Sequence, residues 1–397
     1  MEGRTMKHAR ALGGTAAVFA GLLLLTAAHR AVAAETKTVT IGLLASLSGY
    51  VASYGTDERD GALLAIDEIN KSNAIPGIKI KPIVLDDKGD PTATVEAAQQ
   101  AIDQGAVAIL GPTTTAGTAA LASIATARQV PEVSFGLLTA KPHENPPAYA
   151  YSLSIEPKDE ALGDLNVALE HKNVKSVAIT YDSNAYGQLI SDALKQDAPA
   201  KGLQVVAAEA FKSTSTDMTP QLTAIRSANP DVILDIGGGT TPALIARQMY
   251  ELGMHQLLVV SAVSFGIGDA KFAQIAGPNA LSNVRHTAFA EEVWNTLPKS
   301  DPRYAKLHAM IPAFHKAYGH DPNGYGAAAA YDATWVLADA IKRAGSLDPK
   351  KIQAALDQTK YQGTLCLARF TPSSHSACHS DSLVASKMVN GKLTYGN

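Results

Sequence analysis

The sequence predicts an α/β fold built as two similar series of parallel strands, each covered by helices on both faces. Short apolar runs alternate with helical periodicity from residue 38 to residue 263, the pattern of strand–helix–strand units. The alternation starts afresh near residue 157. The roughly 363 residues beyond the first 34 also suit two globular units better than one.

Residues 1–34 stand apart from both series. Arg4, Lys7 and Arg10 make a basic start, "ALGGTAAVFAGLLLLTAA" is an apolar core, and "AVAAE" offers small residues for cleavage near Ala33 or Ala34. That order describes a secretory signal peptide and places the mature protein outside the cytoplasm. A transmembrane anchor is the rival, but the apolar run stops at His29–Arg30. No Cys near the cleavage site offers a lipid attachment point. Four of the 34 basic residues and one of the 37 acidic ones lie in this segment, leaving the exported part with a formal net charge of −6. No basic run or aromatic–basic interleaving occurs, so nucleic acid is not an expected partner.

Residues 38–45 (TVTIGLLA) read as the first strand. Residues 57–70 follow as a helix with Ala62, Ile66 and Ile69 on one face. Residues 78–87 form the second strand, with Ile80 and Ile83 among lysines, and "DPTATVEAAQQAIDQG" has a helix start at Asp-Pro-Thr and a stop at Gly105. Strands at 106–112 and around "VPEVSF" flank the helix "TAGTAALASIATARQ". In the second series, "EPKDEALGDLNVALEH" is helical, 174–182 a strand, and "NAYGQLISDALKQDAPAKG" a helix; further strands and helices alternate through "QLLVVSAV". Beyond about residue 285 the pattern is mainly helical, and the chain ends in short strand-like pieces.

Cys366 and Cys378 lie close together near the end of the chain. In an oxidising compartment a disulfide is the expected reading. A metal site, with His375 and His379 beside Cys378, is the weaker one, and no metal or cofactor is expected.

In an open parallel sheet, ligands bind beyond the carboxyl ends of the strands. Three such ends carry hydroxyls and glycines: Ser46, Ser48 and Gly49; "GPTTTAGT" (111–118); and "SFGLLT" (134–139). Hydroxyls and free backbone N–H groups at a helix start favour an anion. One of Thr113, Thr114 and Thr115 can serve as an N-cap, but three in a row exceed what a cap requires. "GGGT" (237–240) matches no phosphate-loop or dinucleotide pattern and reads as a tight turn. Catalytic signatures such as G-x-S-x-G and H-E-x-x-H are missing, and Asp86–Asp87 reads as a loop before a helix, so no enzyme is expected.

Several stretches together resemble a known family: "IGLLASLSGYVASYGTDERDGALLAIDEIN", "VLDDKGDPTATVEAAQQAI", "ILGPTTTAGTAALASIA", "AITYDSNAYGQ", "RQMYELG" and "YDATWVLADAIKRAGSLDPKKIQAAL". They are similar, in order and over nearly the whole mature chain, to the type I periplasmic solute-binding proteins of branched-chain amino acid ABC transporters. The resemblance implies two Rossmann-like lobes joined by three crossover hinge segments, closing on a ligand. Residues 35–155 plus 288–362 would form lobe one, and 156–287 plus 363–397 lobe two. It also implies a periplasmic monomer that hands a small carboxylate ligand to an inner-membrane ABC permease. By the same resemblance, Thr115 holds the ligand carboxylate, Thr139 or Leu138 supplies a second contact, and Tyr54 packs over the ligand side chain. Asp159 and Tyr186 would meet the α-ammonium. The family's ammonium-binding glutamate falls on Phe265, unless Asp269 serves instead. A Phe there would suit an aromatic or other non-amino carboxylic acid, the alternative ligand class. A ligand-sensing receptor domain is the alternative of another class.

Overall fold

The computed structural model describes residues 36–138, 146–264, 267 and 270–396. The expected signal segment, Thr139, Phe265 and Asp269 lie outside the described residues.

Strand β1 (Lys37–Ala45) buries every residue from Ile41 to Ala45, as expected of a central parallel strand covered on both faces. Helix α1 (Ala52–Ser72) begins five residues ahead of the expected 57. Gly55 therefore lies within the helix, although its composition suggests a turn. Its missing Cβ is what lets the helix seat on the end of β1, since a Cβ there would come within 2.3 Å of the Ser46 carbonyl oxygen. The turn itself is made by Gly49, at φ +86°.

Strand β2 (Ile78–Asp86) leads to α2 (Pro91–Asp103), whose N-cap Asp90 accepts from the N–H groups of Thr92 and Ala93. Strand β3 (Ile109–Leu110), helix α3 (Thr115–Arg128), strand β4 (Glu132–Ser134) and strand β5 (Ala150–Ile155) complete the first series. The second series runs α4 (Pro157–Leu169), β6 (Ser176–Asp182), α5 (Ala185–Asp197), β7 (Gln204–Phe211), α6 (Thr219–Ala228), β8 (Val232–Ile236), α7 (Thr241–Glu251), β9 (Leu257–Val260), α8 (Ala270–Ala276) and β10 (Val284–Phe289). Helices α9 (Tyr304–Tyr318), α10 (Gly326–Ala344) and α11 (Pro349–Leu356) follow. Strands β11 (Lys360–Gln362), β12 (Leu367–Arg369), β13 (Ser376–Cys378), β14 (Leu383–Val389) and β15 (Lys392–Tyr395) end the chain.

Two sheets result, ordered β13-β5-β4-β3-β1-β2 and β15-β14-β10-β9-β8-β6-β7. In each, the chain first steps to one side of its starting strand and then returns to the other side. The order thus reverses between β1 and β3 and again between β6 and β8, the positions where an α/β sheet leaves a crevice at its carboxyl end. Helix α10 returns to the first sheet and packs closely on α1, where a Cβ on Gly61 would come within 2.3 Å of the Ala327 carbonyl oxygen. Among the described residues, no helix is long and apolar enough to cross a membrane.

The expected boundary at residue 363 is displaced. Strand β13 pairs in parallel with β5, with Ser376 opposite Ser152 and Cys378 opposite Ile155, and so belongs to the first sheet. Its three residues carry no periodicity that would reveal this. The disulfide Cys366–Cys378, with Cα atoms 5.7 Å apart, ties the strand to the segment between β11 and β12, and both thiols are thereby removed as metal ligands. The chain passes from one sheet to the other between β5 and α4, after β10, and through His379–Ser382 between β13 and β14.

Candidate functional site

The loops that leave β1, β3, β6 and β8 face a common cleft of about 330 Å³. Its walls therefore come from both switch points. Tyr50, Val51, Tyr54, Thr113 to Ala116, Gly136 and Leu137 line the side of the first sheet. Asp182, Asn184 to Tyr186, Ser213, Gly237 to Thr240, Val263, Lys271 and Phe272 line the other.

The three consecutive threonines have three different jobs. The Thr113 hydroxyl accepts from the Ser46 N–H (3.1 Å) and donates to Glu58 Oε2 (2.6 Å), so its proton is already committed. Thr114 is the N-cap of α3 and accepts from the Gly117 N–H at 3.1 Å. Thr115 is buried at the first helical position, and its hydroxyl makes no hydrogen bond to another of the described residues. The backbone N–H groups of Thr115 and Ala116 point out of the first helical turn without intrahelical acceptors. Together these donors make a site for an anion, reinforced by the helix dipole. Burial holds the Glu58 carboxyl well above the usual carboxylate range. In its neutral form it does not oppose an anion at the neighbouring donors.

Across the cleft, Asp182 ends β6 with its carboxylate gripped on both oxygens. Asn184 N–H donates to Oδ1 at 3.1 Å and Ser213 Oγ to Oδ2 at 2.5 Å. Beside it Tyr186 donates its hydroxyl proton to Glu160 Oε1 at 2.8 Å, leaving the phenolic oxygen as an acceptor. Glu160 Oε1 also accepts from the Val263 N–H (2.9 Å) and lies 2.7 Å from Ser261 Oγ, which is itself 2.5 Å from Asp164 Oδ2. A serine hydroxyl carries a single proton, so it cannot donate to two carboxylates. Burial raises the Glu160 carboxyl, and the three donors converging on its Oε1 work against that rise. Asp164, buried and facing the Glu160 charge, is pushed well up and keeps its proton.

The floor is aromatic. Tyr54 and Tyr325 meet edge to face with centroids 5.6 Å apart, and Tyr325 leans on Phe289 at 4.5 Å. Tyr54 and Tyr325 line the cleft together with the apolar side chains of Val51, Leu137, Val263, Ala243 and Phe272.

Tyr54, Thr113, Thr114, Thr115 and Tyr186 thus come together at the cleft. Ser48 does not. Its hydroxyl and N–H turn away to Asp86, which also accepts from the Leu47 N–H, so the serine closes the β1 loop. Leu138 packs on Ala122 and Ala150, and the wall at that point is made by Gly136 and Leu137. Asp159 faces His379 at 3.1 Å instead of the cleft. Its helical neighbour Glu160 points inward, because successive residues of a helix project about 100° apart. Tyr50 is 55% exposed and also stands at the wall of the cleft. Asp182, Gly237 to Thr240, Lys271 and Tyr325 join the lining without having been expected there. The signal for Asp182 and the glycines is their place directly at or after a strand end.

Periplasmic binding proteins match the chain over residues 38–387. The leucine-, isoleucine-, valine-, threonine- and alanine-binding protein of Pseudomonas aeruginosa is 26% identical, over 87% of this chain and 88% of that protein. A Leu/Ile/Val-binding protein of Rhizobium johnstonii is 29% identical, over 87% of this chain and 89% of that protein. Among solved structures, the branched-chain amino acid transporter substrate-binding protein of Streptococcus pneumoniae, in complex with isoleucine, superposes with a TM-score of 0.76. It is 25% identical and covers 91% of this chain and 99% of its own. An extracellular ligand-binding receptor from Rhodopseudomonas palustris gives a TM-score of 0.81 at 25% identity, covering 91% of this chain and all of its own. A family match across most of its length, on the expected two-sheet architecture, makes this chain a member of the periplasmic binding proteins.

Proposed function

We propose that the protein is the substrate-binding component of an ABC importer, capturing a branched-chain or related aliphatic amino acid and delivering it to an inner-membrane permease. One observation carries this reading: a single cleft is lined by the anion-binding donors of α3, by Asp182 with its carboxylate held by Ser213, and by apolar side chains. That arrangement complements a zwitterion with a hydrocarbon side chain. The α-carboxylate would sit on the Thr115 hydroxyl and the first-turn N–H groups. The α-ammonium would meet Asp182 and the Tyr186 oxygen. The amino acids after which the relatives are named point the same way. The reading needs no catalytic step and no cofactor, and a monomer exported by the signal segment suffices for it.

Calorimetric titration with L-isoleucine, L-leucine and L-valine, each beside the α-keto acid of the same skeleton, tests the assignment. The amino acids are expected to bind at least tenfold tighter than their keto acids; equal affinities would remove the ammonium from the recognition. Thr115→Ala deletes one of the donors to the carboxylate and should weaken L-isoleucine binding by about 1.4 kcal/mol, roughly tenfold. An unchanged dissociation constant would take that hydroxyl out of the site.

A further inference from the structure

A second cluster of ligating side chains lies away from the cleft, where the chain passes between the sheets. Glu156 precedes α4, Asp159 stands in the first turn of that helix, and His379 lies 220 residues later, between β13 and β14. One ligand atom from each falls within 4.8 Å of the other two, and all three side chains are half-buried. Asp159 Oδ2 and His379 Nδ1 are 3.1 Å apart. Donor atoms around a tetrahedral zinc at about 2.0–2.1 Å are themselves about 3.3 Å apart, so this pair already stands at ligand spacing. Glu156 has to close a gap of at most about 1.5 Å to reach the same spacing, within reach of a side chain that solvent touches. Its Oε1 is held by the Ser374 hydroxyl at 2.6 Å, the kind of outer hydrogen bond that orients a ligating carboxylate.

We propose that Glu156, Asp159 and His379 form a binding site for a divalent transition-metal cation, with Zn²⁺ as the best-matched ion and water completing its coordination. One imidazole with two carboxylates suits Zn²⁺ better than Mg²⁺ or Ca²⁺, which prefer oxygen ligands alone. The bound ion would join two of the three segments that connect the sheets, since Glu156 follows β5 of the first sheet and His379 leads to β14 of the second. The site is independent of what the cleft binds.

The test uses the full mature protein stripped with EDTA, dialysed, and titrated with ZnCl₂ in a non-chelating buffer near neutral pH. One Zn²⁺ per chain is expected, with affinity lowered at least tenfold in both His379→Ala and Glu156→Gln and unchanged in His315→Ala, a surface histidine paired with Asp321. Circular dichroism establishes that each variant is folded, and Glu156→Gln decides the matter if His379→Ala is not. Failure of the wild-type protein to take up one equivalent, or equal uptake by a folded His379→Ala or Glu156→Gln variant, would overturn the proposal.

Discussion

Asp182→Asn is expected to weaken L-isoleucine binding about a hundredfold, equivalent to about 2.7 kcal/mol, while leaving the weak binding of the matching keto acid nearly unchanged. The substitution keeps the size of the side chain and removes its charge. Asp182 is buried to 4% exposure and held by Ser213 and the Asn184 N–H, so its carboxylate is already oriented and largely desolvated before a ligand arrives. An ammonium brought against it would be a close, poorly solvated charge pair, and truncating one partner of such a pair costs about 2–5 kcal/mol. Among the described residues lining the cleft, Asp182 and Lys271 are the charged ones, and Asp182 is the acid. A loss shared equally by amino acid and keto acid would mean that Asp182 shapes the cleft without meeting the ammonium.

The second large effect concerns pH. Asp235, on β8, is completely buried and accepts from Thr180 at 2.8 Å, while its Oδ2 has no hydrogen-bond partner. Burial, partly offset by the Thr180 bond, pushes its carboxyl up to about 7 from an ordinary 3.8. Between those values the folded protein keeps a proton that the unfolded chain releases. Stability from this group is therefore fully present below about pH 4 and declines as pH rises toward 7. Each pH unit over which the folded chain holds the extra proton is worth about 1.4 kcal/mol, so the two units between pH 5 and about 7 give a loss of about 3 kcal/mol by pH 8. Asp57 and Asp332, both raised to about 6 chiefly by burial, act in the same direction. Urea unfolding at the two pH values, compared between wild type and Asp235→Asn, isolates the Asp235 share. Between pH 5 and pH 8 the variant should gain about 3 kcal/mol of stability relative to wild type. Parallel pH dependences in the two proteins would mean that Asp235 does not hold the extra proton.

Much of the architecture is legible in the sequence because parallel strands and amphipathic helices have distinct periods. The strands at 38–45 and 78–87 and the helix starting at Asp90-Pro91 agree with the structure to within one residue. The body of the helix at 57–70 is legible too, but its first turn is not, because Gly55 reads as a turn residue unless its contact with Ser46 is known. Strand β13 is hidden for a related reason: a three-residue edge strand is defined by its partner β5, not by its own composition. Within the site, Thr113 to Thr115 are legible from their position after a strand, and Tyr54 and Tyr186 from the family resemblance. What separates Asp159 from Glu160, or Ser48 from the cleft, is direction. One helical step turns a carboxylate from the buried bonds with Tyr186 and Ser261 toward His379, and one hydrogen bond to Asp86 turns a serine outward. Asp182 is inconspicuous because it closes an apolar strand, and only the opposition of the two switch points shows what it faces.

Thermal and chemical denaturation of the mature protein in the presence of ligand tests the central claim most directly. L-leucine, L-isoleucine or L-valine at about a hundred times its dissociation constant should add about 2.7 kcal/mol of stability and raise the unfolding midpoint. Aromatic acids such as benzoate or cinnamate at the same concentration should leave the midpoint in place. A midpoint raised by the aromatic acids and unmoved by all three branched-chain amino acids would contradict the assignment.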